Sequence, residues 1–142
     1  MSRDAEQVNR RLLRARDAMD RHYAEPLDVP ALARIAIMSP AHFNREFRRV
    51  FGETPHRYLQ RRRVERAMFL LRTTDAPVTE ICRAVGFESL GTFGRTFTSI
   101  VGCAPSVYRS RTRTDALPHS GGFVMRWGRP GTFGEARSSP DS

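Results

Sequence analysis

The chain has 142 residues with a net charge of +9, and all 24 basic residues are arginine, which excludes chemistry that needs a lysine, such as a P-loop or a Schiff base. Two distant cysteines and four histidines show no metal-ligand spacing, and no apolar run approaches the ~20 residues of a membrane span. We therefore predict a soluble cytoplasmic protein with no catalytic residues, no metal, no cofactor and no membrane partner.

The first predicted helix is marked by an apolar stripe that runs from Val8 to Tyr23 at intervals of three or four residues. This spacing places the apolar side chains on one face of an amphipathic helix. No such stripe precedes Val8, so residues 1–7 are expected to be a flexible N-terminus.

Two further helices are predicted from their start signals. Asp28 and Ser39 are N-cap residues, and each stands one or two positions before a proline that fits the first helical turn. The third helix is expected to end at Gly52. Residues 8–54 are thus predicted to form a first helix–turn–helix subdomain.

A long helix is predicted next, opened by Thr54 and Pro55 and ending near Thr73. We expect residues 55–74 to form a linker helix. A helix of ~19 residues is ~28 Å long, and major grooves on one side of DNA repeat every ~34 Å. The linker is therefore suited to hold two DNA-reading helices near groove separation.

The remaining start and stop signals are Pro77, Ser89, Gly102 and Pro105. They predict two helices joined by a turn and then a last short helix, so residues 75–112 are assigned to a second helix–turn–helix subdomain. The fold class is therefore predicted to be all-α, with seven helices.

The last predicted helix is short and runs through Tyr108. Residues 113–142 are rich in Gly, Pro and Ser without periodicity, which predicts a mostly irregular tail. Its aromatic residues, among them Phe123 and Trp127, leave three interpretations open: docking on the domain, binding to a partner, or an ordinary terminus.

The chain also contains an internal repeat, whose first copy is residues 28–59 and whose second copy is residues 76–109. From the middle of each copy the alignment holds at an offset of 50. It pairs Phe43 with Phe93, Arg45 with Arg95, Phe47 with Phe97, Gly52 with Gly102, Pro55 with Pro105 and Tyr58 with Tyr108. Two copies of a helix–turn–helix unit on a basic chain indicate nucleic-acid binding.

The phenylalanines in each copy set which face of the helix is buried, because they recur at four-residue spacing. In the first copy the opposite face holds Ala41, Arg45, Arg48 and Arg49, flanked by Asn44. In the second copy it holds Gly91, Arg95 and Thr98, with Gly94 and Leu90 at its margins. Any solvated helix presents a polar face, but an arginine at the same outward position in both copies favours DNA reading. Asparagine and arginine are the residue types that read adenine and guanine edges.

The second copy carries a set of residues typical of one protein family. The set is Ile81-Cys82, Val85-Gly86-Phe87, Phe93, Arg95, Phe97, Gly102, Pro105 and Tyr108-Arg109. With this set the chain resembles the DNA-binding domain of the AraC/XylS family of bacterial transcription regulators over roughly residues 12–111. The resemblance implies two helix–turn–helix subdomains joined by a linker helix and bound to successive major grooves.

Carried over by position, the resemblance also implies which residues face the bases. They are Pro40, Ala41, Asn44 and Arg45 in the first recognition helix, and Leu90, Gly91, Thr92, Gly94 and Arg95 in the second. Glycines stand where the family has larger residues, and Thr98-Ser99 replaces a position that is often basic. We therefore expect the first copy to supply more of the affinity and the specificity.

The predicted function is a sequence-specific transcription regulator, an activator that binds double-stranded DNA as a monomer and contacts RNA polymerase, as the resemblance to small MarA-like members implies. It would act in the cytoplasm, on the nucleoid. Charge alone also fits a non-specific architectural or RNA-binding protein. A remnant of a DNA-repair methyltransferase is disfavoured, because a cysteine-rich zinc module is missing from a chain with two distant cysteines. Activation and repression both stay open.

Overall fold

The computed structural model of the chain describes residues 2–116, and side-chain environments through Arg113. Within this range the chain forms seven α-helices and no strand, which confirms the predicted all-α class. The helices are α1 (Arg3–Arg21), α2 (Val29–Ala36), α3 (Pro40–Phe51), α4 (Pro55–Thr73), α5 (Val78–Ala84), α6 (Leu90–Val101) and α7 (Pro105–Ala116). They divide into two compact units, of which unit 1 ends at Arg63 and unit 2 begins at Val64. Each unit contains two helices joined by a short turn, α2 and α3 in unit 1 and α5 and α6 in unit 2, and the boundary between the units falls within α4.

The helices begin where the sequence places N-cap residues. The side-chain oxygens of Asp28, Ser39, Thr54 and Ser89 each accept a hydrogen bond from the backbone N–H three residues later, at 2.9–3.2 Å. Each bond satisfies one of the backbone donors that the first helical turn leaves unpaired. The predicted starts of α2, α3, α4 and α6 are confirmed.

Helix α1 begins at Arg3, so the expectation of a flexible N-terminus over residues 1–7 is wrong from residue 3 onward. Ser2 caps the helix by accepting from the backbone N–H of Ala5 at 3.1 Å. Asp4 and Glu6 lie in the first turn, where carboxylates interact favourably with the positive end of the helix dipole. The first turn is therefore stabilised by capping and charge. The prediction missed it because it relied on the apolar stripe, which begins only at Val8.

Helix α7 also runs further than predicted, to Ala116 instead of Tyr108, and so includes the first residues assigned to the tail. Arginine side chains hold it: Arg109 donates to the carbonyl of Thr74 at 3.0 Å, and Arg113 donates to the same carbonyl. These bonds satisfy a carbonyl just beyond the end of α4. The rest of the predicted tail lies outside the described residues.

The core of unit 1 is built on the phenylalanines of α3. Phe43 and Phe47 are fully buried, with ring centroids 5.5 Å apart, and the Phe47 ring lies 5.7 Å from that of Tyr58. The Tyr58 hydroxyl donates to Asp20 of α1 at 2.7 Å, and Arg62 donates to the same carboxylate oxygen at 3.0 Å. This hydrogen-bonded cluster fixes the start of α4 against α1. Burial, and then the hydrogen bond to Asp20, raises the pKa of Tyr58 to about 12.

Unit 2 repeats this arrangement at the equivalent positions. Phe93 and Phe97 are fully buried with centroids 5.7 Å apart, and Phe97 lies 5.7 Å from Tyr108. The Tyr108 hydroxyl accepts a hydrogen bond from Arg72 of α4 at 2.7 Å. Cys82 is buried, as expected of a small core residue, and burial raises the pKa of its thiol. The duplication in sequence is therefore also a duplication in side-chain packing.

The turn inside each helix–turn–helix unit has the same hydrogen bonds but a different residue at its left-handed position. In unit 2 this is Gly86, at φ 101°, and in unit 1 it is Ile37, at φ 57° and ψ 53°. In unit 1 the backbone N–H of Met38 donates to the carbonyl of Ala33 at 2.9 Å. In unit 2 the backbone N–H of Phe87 donates to the carbonyl of Cys82 at 3.0 Å. A β-branched residue rarely adopts this conformation. Ile37 is also 66% exposed, so burial does not explain its presence.

Candidate DNA-binding surface

The outer face of α3 is exposed because the phenylalanines on its inner face are fully buried. Ser39 fixes where the helix starts, and Gly52, at φ 82°, ends it. Every residue assigned to the site on this helix is exposed: Pro40, Ala41, Asn44, Arg45, Arg48 and Arg49. The structure thus brings all six predicted residues onto one solvent-facing surface.

The polar groups on this face differ in their availability. Within the described part of the chain, the side chains of Asn44, Arg45 and Arg48 have no hydrogen-bond or ion-pair partner. Arg49 instead pairs with Glu46, one turn earlier, through contacts of 2.8 Å and 2.9 Å. The side chains of Asn44, Arg45 and Arg48 are therefore available to bind a ligand. Arg49 would first have to loosen its ion pair with Glu46. Sequence reasoning missed this pair, although the i, i+3 spacing of opposite charges was a usable signal.

The outer face of α6 is arranged in the same way. Ser89 caps the helix, and its hydroxyl also donates to that of Thr92 at 2.9 Å. Five residues of this helix are assigned to the site. Gly94 is half-buried, and the other four are exposed: Leu90, Gly91, Thr92 and Arg95. The structure therefore also gathers the second predicted set on one face.

Arg95 is the one charged residue of α6. Its Nη2 donates to the Thr92 hydroxyl at 3.4 Å, so the guanidinium bends toward the start of the helix. The equivalent helix α3 carries three arginines, one glutamate and a histidine. The two faces occupy matching positions, but they offer different numbers of hydrogen-bonding and charged groups.

Among residues 2–116, no three His, Cys, Asp or Glu side chains gather in a way that could hold a metal ion. Within the same range, no helix has the length and apolar character needed to cross a membrane.

Comparisons with known proteins agree with this geometry. A family model described as a helix-turn-helix domain matches residues 32–111, which is more than half of the chain. The regulatory protein SoxS of Salmonella typhimurium is 34% identical over 93 residues, which cover 66% of this chain and 87% of SoxS. The MmsAB operon regulatory protein of Pseudomonas aeruginosa is 32% identical over 95 residues, covering 67% of this chain and 31% of that protein.

The chain spans between 31% and 39% of the length of three longer curated relatives. Among solved structures, the DNA-binding domain of AdpA, the global transcriptional factor, in complex with a target DNA, superposes with a TM-score of 0.71. It is 33% identical, and the match covers 74% of this chain and 95% of that one. The duplicated helix–turn–helix units, the paired exposed faces and these matches make the chain a member of the AraC/XylS family of DNA-binding transcription regulators.

Proposed function

We propose that this chain is a sequence-specific regulator that activates transcription by inserting α3 and α6 into successive major grooves. The observation that carries the proposal is the pair of exposed helix faces at equivalent positions, each fixed by the same buried aromatic contacts. The proposed role is binding, with no catalytic step, on DNA of the bacterial nucleoid in the cytoplasm.

On α3 we assign base reading to Asn44 and Arg45, because an amide reads the N6 and N7 edge of adenine and a guanidinium reads the O6 and N7 edge of guanine. Arg48 and Arg49 lie one turn further along the helix, at 1.5 Å per residue, and are assigned to the phosphate backbone or a flanking base. Pro40 and Ala41 complete the contact surface at the start of the helix. Among the described residues, Asn44, Arg45 and Arg48 have no hydrogen-bond or ion-pair partner, which supports these assignments.

On α6 we assign the contact surface to Leu90, Gly91, Thr92, Gly94 and Arg95. Arg95 is the charged reader of this helix, and we expect it to contribute less than Arg45, because part of its hydrogen-bonding capacity is already used by Thr92. The first unit also carries more charge, with 14 arginines against eight acidic residues up to Arg63. We therefore propose that the first unit contributes more of the affinity.

The test is selection of binding sites from a randomised duplex pool, followed by titration of the selected site and of random duplex. Arg45→Ala should weaken binding to the selected site by ~1–3 kcal/mol, about 5- to 150-fold, while changing random-duplex affinity little. Arg14→Ala, on the exposed face of α1, is the matched control because it removes the same charge outside both recognition helices. Equal losses on selected and random DNA would reassign Arg45 to phosphate contact. Failure to enrich any sequence would favour the non-specific basic protein.

We further propose that one chain binds one asymmetric site of about two helical turns, because the duplication already supplies two reading helices. Analytical ultracentrifugation of the complex should give one chain per minimal site. Two chains per site, or a palindromic selected sequence, would contradict monomeric binding.

Contact with RNA polymerase is proposed from the resemblance to small family members. It predicts that transcription from a promoter carrying the selected site rises when the chain is added to purified polymerase. A fall in transcription would assign repression instead.

A further inference from the structure

The exposed face of α6 contains a groove lined by two glycines. The equivalent helix α3 contains no glycine. The groove is open to solvent and has a volume of about 630 Å³; it is lined by Leu90, Gly91 and Gly94, by the hydroxyl-bearing Thr98 and Ser99, and by Ala104 just beyond the end of α6. Leu90, at one end of the groove, is 48% exposed, so its apolar side chain is accessible to another molecule. Arg95 lines the same groove. An apolar depression therefore lies within the face assigned to DNA.

Nothing in the fold requires glycine at positions 91 and 94. Neither residue has a positive φ, and a Cβ built on Gly94 meets no atom within 4 Å. A Cβ on Gly91 meets only the end of the flexible Arg95 side chain, at 3.4 Å, which is ordinary contact. The first copy carries Ala41 and Asn44 at the equivalent positions of α3. A side chain therefore fits this backbone, and glycine weakens the helix.

Glycine at a helical position that lines a surface groove is explained when another molecule must approach the backbone closely. On a DNA-reading helix that molecule is the edge of the base pairs. The major groove presents one prominent apolar group, the C5-methyl of thymine, which proteins recognise by apolar contact. Leu90 and the two glycines offer apolar contact, with few hydrogen-bonding groups between them.

We infer that Gly91 and Gly94 are specificity-determining residues, which admit thymine methyl groups against the backbone of α6 and against Leu90. The inference rests on the proposed function and refines it. The site is then read by two different chemistries. Unit 1 selects its half by hydrogen bonds from Asn44 and Arg45, and unit 2 selects thymines by close apolar contact, with Arg95 adding one polar contact.

The first arm of the test removes the methyl groups from the DNA. A site is selected with the full chain from a randomised duplex pool, and the half read by α6 is identified as the half whose preference relaxes in Arg95→Ala. Deoxyuridine then replaces each thymine of that half, which deletes only the C5-methyl. Affinity should fall about three- to fivefold per contacted methyl, as expected for burying one methyl group. Deoxyuridine outside the protected region is the control and should have no effect.

The second arm adds the missing Cβ atoms to the protein. Gly91→Ala and Gly94→Ala should each raise the melting temperature, by up to roughly 4–8 °C, because alanine favours the helix. The double variant should nevertheless bind the selected site at least about tenfold more weakly and should lose the response to deoxyuridine. Gln7→Ala, exposed on α1, is the matched control because it also raises helix propensity and should leave affinity unchanged.

The outcomes separate this inference from the proposed function. If a sequence is enriched but deoxyuridine and both alanines leave affinity unchanged, the inference about the glycines is refuted and the regulator assignment stands. If no sequence is enriched, the assignment itself fails. A drop in affinity accompanied by a lower melting temperature would indicate damage to the helix, and would also count against the inference.

Discussion

Removing the Tyr58 hydroxyl should change how the stability of the first unit depends on pH. Tyr58→Phe keeps the ring, whose centroid lies 5.7 Å from that of Phe47, but deletes the hydrogen bond of 2.7 Å to Asp20. Near neutral pH we expect the variant to be less stable by about 1–2 kcal/mol. This is toward the lower end for a hydrogen bond to a charged group, because Arg62 continues to pair with Asp20.

The pH dependence follows from the direction of the pKa shift. The pKa of Tyr58 is raised from 10.0 to about 12, so the folded state holds this proton more tightly than the unfolded state does. The stabilisation is therefore fully present below about pH 10 and is lost as the pH rises through about 12. A difference of about two pKa units corresponds to about 3 kcal/mol at most. Phenylalanine has no proton to lose, so the variant lacks this contribution to the pH dependence.

The assay is urea denaturation, followed by circular dichroism, of the original chain and of Tyr58→Phe at intervals from pH 7 to 12. The gap in unfolding free energy between them should narrow above pH 10 and close by about pH 12. Asp20→Asn is the control, because it keeps an acceptor and removes the charge. It should reduce the alkaline loss only in part, since burial is the largest cause of the shift. Parallel curves for the original chain and Tyr58→Phe over the whole range would refute the reasoning.

Three further predictions concern the turns, the caps and the ends of the helices. Gly86→Ala should destabilise unit 2 by about 1–2 kcal/mol, because alanine at positive φ is strained. Ile37→Ala should lower stability by less than about 1 kcal/mol, because that side chain is largely exposed. Equal losses of unfolding free energy in denaturant titrations of the two variants would contradict this. Ser39→Ala and Ser89→Ala should each cost about 1 kcal/mol in thermal unfolding by removing a cap, and a negligible effect would show that the caps are redundant. Arg63→Ala should lower stability by about 1–3 kcal/mol, because its guanidinium donates to two carbonyls beyond α1 at 2.6 Å and 2.8 Å. If an exposed arginine on α1 gave the same loss on replacement by alanine, the explanation by hydrogen bonding would be wrong.

The starts of most helices could be predicted from the sequence because they depend on local chemistry. Ser39 and Ser89 cap their helices through contacts with residues three positions away, so a short window of sequence contains the whole interaction. The burial of Phe43 and Phe93 follows in the same way from helical periodicity. The class of fold and the exposed faces of both recognition helices were therefore within reach of sequence reasoning.

The features that the sequence analysis missed depend on long-range contacts or on energetically unfavourable choices. Helix α7 continues past Tyr108 because Arg109 and Arg113 bind carbonyls more than 30 residues earlier. Ile37 occupies a left-handed turn that residue preferences assign to glycine, so no propensity argument would place it there. The base-contacting residues remain predictions, because their partners belong to another molecule.

The uneven charge of the two recognition helices has a consequence for how the protein finds its site. Electrostatic attraction governs the first encounter with DNA and tolerates any sequence. We expect α3, with Arg45, Arg48 and Arg49, to hold the duplex first, while α6, with Arg95 alone, engages weakly until its face matches the bases. A half-engaged complex of this kind can move along DNA, because one unit holds the phosphates while the other tests successive sequences. Engagement of α6 would then set how long the protein pauses at each site, and it would add to the discrimination that Asn44 and Arg45 of the first unit already make.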